Sequence, residues 1–227
     1  MRFILIFLVS MIISAPVLAD YTLAVFGDSL SNGYNLPEKD SFYAQLEQAL
    51  RNKGYTVKVL NASKNGETTA GGLNRVEDLL SQKPDAVILE LGINDSFKDI
   101  PIQTIKENLE KLINTFQDNK IPVLLVGMKT LPNKPANYQQ EFEKVYRSLA
   151  SKYSLDFYPF FMDGIFDSKT AWDLQVQNEN LLPNDIHPNS KGVAIMVKRI
   201  LPSTERFFKK QKIKPARLSN NKSKKKK

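Results

Sequence analysis

Ala86-Val87-Ile88-Leu89 and Val123-Leu124-Leu125-Val126 are unbroken apolar runs, each preceded by an amphipathic stretch of helical period. A run of four with no polar alternation is what a strand buried on both faces needs, and parallel sheets covered by helices are where such strands occur. Outward from these two runs, predicted strands at 22–26, 56–60, 86–91, 123–126 and 155–158 alternate with predicted helices at 42–53, 72–81, 102–119, 136–153 and 189–208. Gly54 closes the first of these helices, and Pro84 with Asp85 introduces the third strand. The alternation predicts an α/β fold, a three-layer α/β/α sandwich with a five-stranded parallel sheet and right-handed crossovers.

The chain has 227 residues, 42% of them hydrophobic, with no internal repeat or interdomain linker, so one domain is expected over 20–205. Residues 1–19 read as a signal peptide. Arg2 supplies the charged start, Phe3 to Ile13 an apolar run broken only by Ser10, and Val17-Leu18-Ala19 a cleavage site. The run is short of the ~20 residues a spanning helix wants, and Pro16 follows it. Export to the periplasm or the medium, with a mature start near Asp20, is the expectation. The absence of cysteine excludes a thiol nucleophile, and a single histidine leaves zinc almost only carboxylates, which it rarely accepts. No metal or other cofactor is expected.

The net charge of +8 is a property of one end. Residues 206–227 hold 11 Lys or Arg and no acid, and with Arg2 also set aside the rest has 20 basic against 24 acidic side chains, a net of −4. The body is mildly acidic. The segment 206–227 reads as a disordered basic arm, serving either to attach the protein to anionic headgroups or envelope polymers or simply to keep it soluble. No nucleic-acid function is expected, and the chain is expected to act as a monomer.

Small polar residues come after the first three predicted strands: Gly27-Asp28-Ser29, then Asn61-Ala62-Ser63-Lys64-Asn65-Gly66-Glu67-Thr68, then Gly92-Ile93-Asn94-Asp95. In a parallel sheet all three loops emerge on one edge, where ligands of open α/β folds bind. Any one of them is ordinary turn chemistry; three in step, plus the sole histidine in Asn184-Asp185-Ile186-His187-Pro188-Asn189, point to a site. Acyl transfer gives each group a task. Ser29, on a strand-to-helix turn, is the candidate nucleophile, and His187, the only imidazole, the candidate base. The backbone N–H groups of Ser29 and Gly66 and the side-chain amide of Asn94 are candidates for an oxyanion hole.

The blocks Gly27-Asp28-Ser29-Leu30-Ser31, Gly66, Gly92-Ile93-Asn94-Asp95 and His187-Pro188-Asn189 resemble those of the SGNH, or GDSL, hydrolases. The chain is most similar to the family's periplasmic branch of acyl-CoA thioesterases, lysophospholipases and arylesterases, a likeness that runs through Asn61-Ala62-Ser63, Glu90-Leu91-Gly92, Pro135-Ala136-Asn137-Tyr138 and Pro159-Phe160-Phe161-Met162. The resemblance implies a flavodoxin-like sandwich and metal-free hydrolysis through an acyl-serine, with Ser29, Gly66, Asn94 and His187 in the roles above.

One position departs from the pattern. The family places its acid three residues before the histidine, and here that residue is Asn184, while Asp185 lies two residues before His187. Either the loop shifts so that Asp185 meets the imidazole, or Asn184 orients the ring without supplying negative charge. The expected activity is hydrolysis of carboxylic esters or thioesters, such as lysophospholipid, aryl or short to medium acyl esters. Polysaccharide O-deacetylation and a non-catalytic binding protein with a degraded triad are the alternatives. The Pro- and Asn-rich loop 128–138 and the aromatic segment 157–166 could wall an acyl groove, with core packing the ordinary reading for most of the aromatics.

Overall fold

A computed structural model describes residues 21–166, 179–183 and 185–215. The expected signal peptide, Asn184 and the last twelve residues of the basic arm lie outside the described residues. Five parallel strands, β1 (Tyr21–Phe26), β2 (Val57–Asn61), β3 (Ala86–Leu89), β4 (Val123–Val126) and β5 (Asp156–Tyr158), form one sheet in the order β2-β1-β3-β4-β5. This is the flavodoxin-like order, wound outward in both directions from a switch point between β1 and β3. The sequence expectation of a three-layer α/β/α sandwich describes the molecule.

The helices are α1 (Ser29–Asn32), α2 (Phe42–Asn52), α3 (Thr69–Leu80), α4 (Ile93–Phe97), α5 (Ile102–Asp118), α6 (Ala136–Lys152) and α7 (Ser190–Lys210). One layer holds α2 packed on α7, and the other α3, α5 and α6. Every residue of β3 and β4 is buried, which is why those strands lack polar alternation. Helix α5 turns Ile105, Leu109, Leu112, Ile113 and Phe116 to the sheet, a 3.6-residue stripe.

Two boundaries differ from the sequence reading. Helix α3 starts at Thr69 rather than 72, because the Thr68 side chain accepts the Gly71 N–H and caps a turn that Gly71 and Gly72 make unpromising by propensity. At the other end, the folded body does not stop at 205. Helix α7 continues to Lys210, and Phe207 and Phe208 are buried, Phe208 edge-on to Tyr21 and Tyr55. Burying an aromatic side chain contributes about 1.5–3 kcal/mol, enough to extend the helix into a stretch whose exposed residues, Arg206, Lys209 and Lys210, are all basic.

Candidate active site

Gly27 and Asp28 carry the chain out of β1 into α1. Asp28 caps this short helix, its Oδ1 accepting the Leu30 N–H at 2.9 Å and its carbonyl the Asn32 N–H at 2.9 Å. Beneath the turn lies Glu90, which comes directly after β3; its Oε2 accepts the Ser31 hydroxyl at 2.6 Å and the Asp28 N–H at 3.4 Å. Both carboxyls are wholly buried, and Glu90 Oε1 has no hydrogen-bond partner among the described residues. Burial, then the nearby Asp28, raises the Glu90 carboxyl well above the usual range. Burial also outweighs the hydrogen bonds from Leu30 and Asn94 and pushes Asp28 up to about 7. The turn that presents Ser29 therefore rests on two acids whose protonated forms are favoured by their surroundings.

Ser29 Oγ lies 2.8 Å from Nε2 of His187, and Nδ1 of His187 lies 2.6 Å from Asp185 Oδ1. The same Asp185 oxygen accepts the backbone N–H groups of Ile186 at 2.7 Å and His187 at 3.2 Å. Partial burial works to raise the Asp185 carboxyl, but the hydrogen bonds and charge of His187 and the backbone donors prevail and hold it below the ordinary value. The loop is fixed from behind. Leu182 N–H bonds His187 O at 2.8 Å, and Asn189 caps α7 through Lys191 and Gly192 N–H while its amide donates to Glu179 O and Leu181 O. The Tyr34 ring covers one side of the imidazole at a centroid distance of 4.4 Å.

Gly66 and Asn94 line the same cleft as Ser29 and His187. Gly66 sits at φ +72°, with open space where a Cβ would be, so the demand for glycine comes from the backbone rather than from crowding. At Gly92, which precedes α4, both apply: φ is +124° and a Cβ would meet the Tyr146 hydroxyl at 2.3 Å. The N–H groups of Ser29 and Gly66 have no protein acceptor among the described residues. Asn94 differs from the sequence expectation in one respect. Its Nδ2 donates to Asp28 Oδ2 and to Glu67 O, both at 3.0 Å, so both amide hydrogens face protein acceptors.

Residues outside the candidate catalytic set hold these loops in place. Asn61 donates to Asn32 and Asn32 to Asn65, each at 2.8 Å, a ladder linking the loops after β1 and β2. Thr69 donates to Asp95 from its N–H at 2.8 Å and its hydroxyl at 2.5 Å, fixing the start of α3 against α4. Arg75 pairs with Glu67 and donates to Ala62 O at 2.6 Å, with its guanidinium 4.1 Å above the Phe26 ring. The sequence signal for these partners was only that Asn, Thr and Asp cluster in the same loops.

The cleft has a volume of about 410 Å³, and its apolar wall is made by Leu30, Tyr34, Ile93, Phe97 and Ile186. Of the two readings of 157–166, core packing is the one that holds and the acyl-groove wall is not: Phe160, Phe161, Met162, Ile165 and Phe166 are buried in the core, and none of that segment lines this cleft among the described residues. From the loop 128–138, Met128 is likewise core. Ile93 and Phe97, four residues apart on α4, share one face of that helix and both reach the cleft.

Residues 25–195 match the model of the GDSL-like lipase/acylhydrolase family. An arylesterase of Vibrio mimicus is 34% identical over 181 residues, 79% of this chain and 86% of its own. Thioesterase 1/protease 1/lysophospholipase L1 of Escherichia coli K12 is 30% identical over 179 residues, 78% of this chain and 83% of its own. Among solved structures, the crystal structure of TesA superposes with a TM-score of 0.74 at 30% identity, covering 82% of this chain and 99% of that one.

Proposed function

The chain belongs to the GDSL-like lipase/acylhydrolase family and is a hydrolase of ester bonds, and from that premise we propose that it works through an acyl-serine formed on Ser29. The observation that carries this reading is the unbroken line from Ser29 Oγ to His187 Nε2 and from His187 Nδ1 to Asp185, opening on a cleft with an apolar wall. Ser29 Oγ attacks the carbonyl carbon as His187 Nε2 takes its proton, and Asp185 stabilises the imidazolium that results. The oxyanion is met by the N–H groups of Ser29 and Gly66 and by Asn94, which releases Glu67 O or Asp28 to turn one amide hydrogen to it. His187 then returns the proton to the leaving alcohol or thiol. Water cleaves the acyl-serine by the same steps in reverse, with His187 again as base. All these groups come from one chain, so the chemistry needs no second copy.

The substrate in this reading is a carboxylic ester or thioester with a short to medium acyl or aryl group. An apolar wall favours such a group over a carbohydrate chain, and the volume is that of a small-molecule site. The reading further assigns residues 1–19 to export, with cleavage after Ala19. Protein starting at Asp20 should release a burst of p-nitrophenol from an acyl ester, abolished by Ser29→Ala. A steady release without a burst at enzyme-stoichiometric amplitude, unchanged in Ser29→Ala, would defeat the acyl-serine. N-terminal sequencing of the protein recovered outside the cytoplasm tests the export.

A further inference from the structure

The five long helices run back along a parallel sheet, so their C-terminal ends gather at the edge away from the cleft. Each of them ends in or beside an exposed lysine: Lys53 after α2, Lys83 beyond α3, Lys120 beyond α5, Lys152 in α6, and Lys209 and Lys210 in α7. Taken singly, a lysine there offsets the partial negative charge of the last carbonyls and needs no other explanation. The lysines beyond α7 offset no helix end. Lys212 and Lys214 are exposed on the same edge, Arg217, Lys222 and Lys224 to Lys227 come next in the chain, and no acid occurs after Glu205. The edge's acids are fewer and partly engaged: Asp156 pairs with Lys210, Glu110 with Lys152, and Asp85 accepts the Thr22 N–H, while Glu77, Asp78 and Asp118 are exposed.

Helix α7 fixes where this charge lies relative to the site. It begins three residues after His187, and its 21 residues span about 30 Å at the α-helical rise. Near its far end the Phe208 ring sits 5.4 Å from Tyr21, the first residue of β1, and 5.3 Å from Tyr55, just before β2. The chain thus enters its fold and leaves it at one edge, with the cleft at the other. The apolar stretch Phe3 to Ile13 is joined to the fold at that same entry.

We propose that the lysine edge, with Lys209, Lys212 and Lys214 beside it, docks the enzyme on an anionic phospholipid bilayer with the cleft facing away from it. Lysines near a bilayer of negative surface potential add attraction one by one, and the field reaches no further than a Debye length, so the edge, not the cleft, lies within it. The choice of lipid over another polyanion rests on the export reading above, since the leader meets the membrane on the side where the lysines are. A docked enzyme in this orientation takes its esters from the aqueous phase rather than from the bilayer under it.

Protein starting at Asp20 should co-sediment with phosphatidylcholine vesicles that contain phosphatidylglycerol, not with phosphatidylcholine alone, and salt should release it. Changing Lys209, Lys212 and Lys214 together to Gln should weaken the binding about a hundredfold, about fivefold for each lysine, with p-nitrophenyl acetate turnover in solution retained as the check of folding. The protein has no cysteine, so a fluorophore on Gln82→Cys reports the lysine edge and one on Lys64→Cys the cleft edge. Quenchers in the lipid should dim the first and spare the second. Binding indifferent to phosphatidylglycerol, equal quenching of both labels, or quenching of the Lys64→Cys label alone would overturn the proposal. Tighter binding to duplex DNA than to vesicles at equal phosphate would overturn it in favour of nucleic acid. None of these readouts depends on an acyl-serine or on where the leader is cut.

Discussion

Asp185 Oδ1 lies 2.6 Å from Nδ1 of His187, although only Ile186 separates the two residues. The contact is possible because the same oxygen also gathers the Ile186 and His187 N–H groups, folding the loop back on itself. Asp185→Asn keeps the size of the side chain and removes the charge that steadies the imidazolium. The expected loss in kcat is about 10²–10⁴, with KM little changed, measured on p-nitrophenyl butyrate. Asn184→Ala should stay within a few-fold of the parent; the opposite pattern would move the role of orienting His187 to position 184.

Asn94→Ala should lower kcat by about 10²–10³ without a matching change in KM, since in the proposed mechanism its amide acts on the oxyanion rather than on the ground state. The same substitution also strips a hydrogen bond from buried Asp28, so thermal unfolding followed in parallel separates lost stability from lost turnover.

Glu90 and Asp28 make folding stability depend on pH in a definite direction. Both carboxyls have folded-state values raised above their unfolded ones, Asp28 to about 7. The folded protein therefore binds more protons, and stability is fullest below about pH 4 as far as these two groups are concerned and is lost as pH rises through the folded values. Glu90→Gln keeps a neutral acceptor for Ser31 and removes one of the two charges. Its melting temperature should decline less than the parent's between pH 5 and 8, and an unchanged slope would count against the assignment.

Asp95→Ala leaves the Thr69 N–H and hydroxyl without their acceptor inside the protein. An unsatisfied buried donor costs about 1–3 kcal/mol, so chemical denaturation should show a loss of that size or somewhat more.

Phe97→Ala removes part of the apolar wall. Longer acyl groups should lose more than shorter ones, with kcat/KM for p-nitrophenyl octanoate falling about tenfold further than for the acetate. An equal fall for both esters would take Phe97 out of the acyl site.

The fold was legible where burial is two-sided. Residues 86–89 and 123–126 have no polar residue because neither face of those strands meets water. That Ser29, Gly66, Asn94 and His187 line one cleft was legible because a parallel sheet sends its loops to one edge whatever the details of packing. Tertiary contacts settled the rest. Nothing local distinguishes Phe97, which faces the cleft, from Phe161, which faces the core. Phe207 and Phe208 were read with the lysines that surround them, though the sheet edge they cover lies nearly two hundred residues back in the chain. The choice of Asp185 depended on a one-residue fold in a loop, which spacing does not encode.

The ring contact between Tyr21 and Phe208 makes the molecule easy to attach and to re-thread. A carrier protein fused beside either of these residues would sit behind the enzyme and leave its mouth open to the liquid. A short linker joining the two ends would close the chain into a ring, from which new termini could be cut at exposed positions elsewhere.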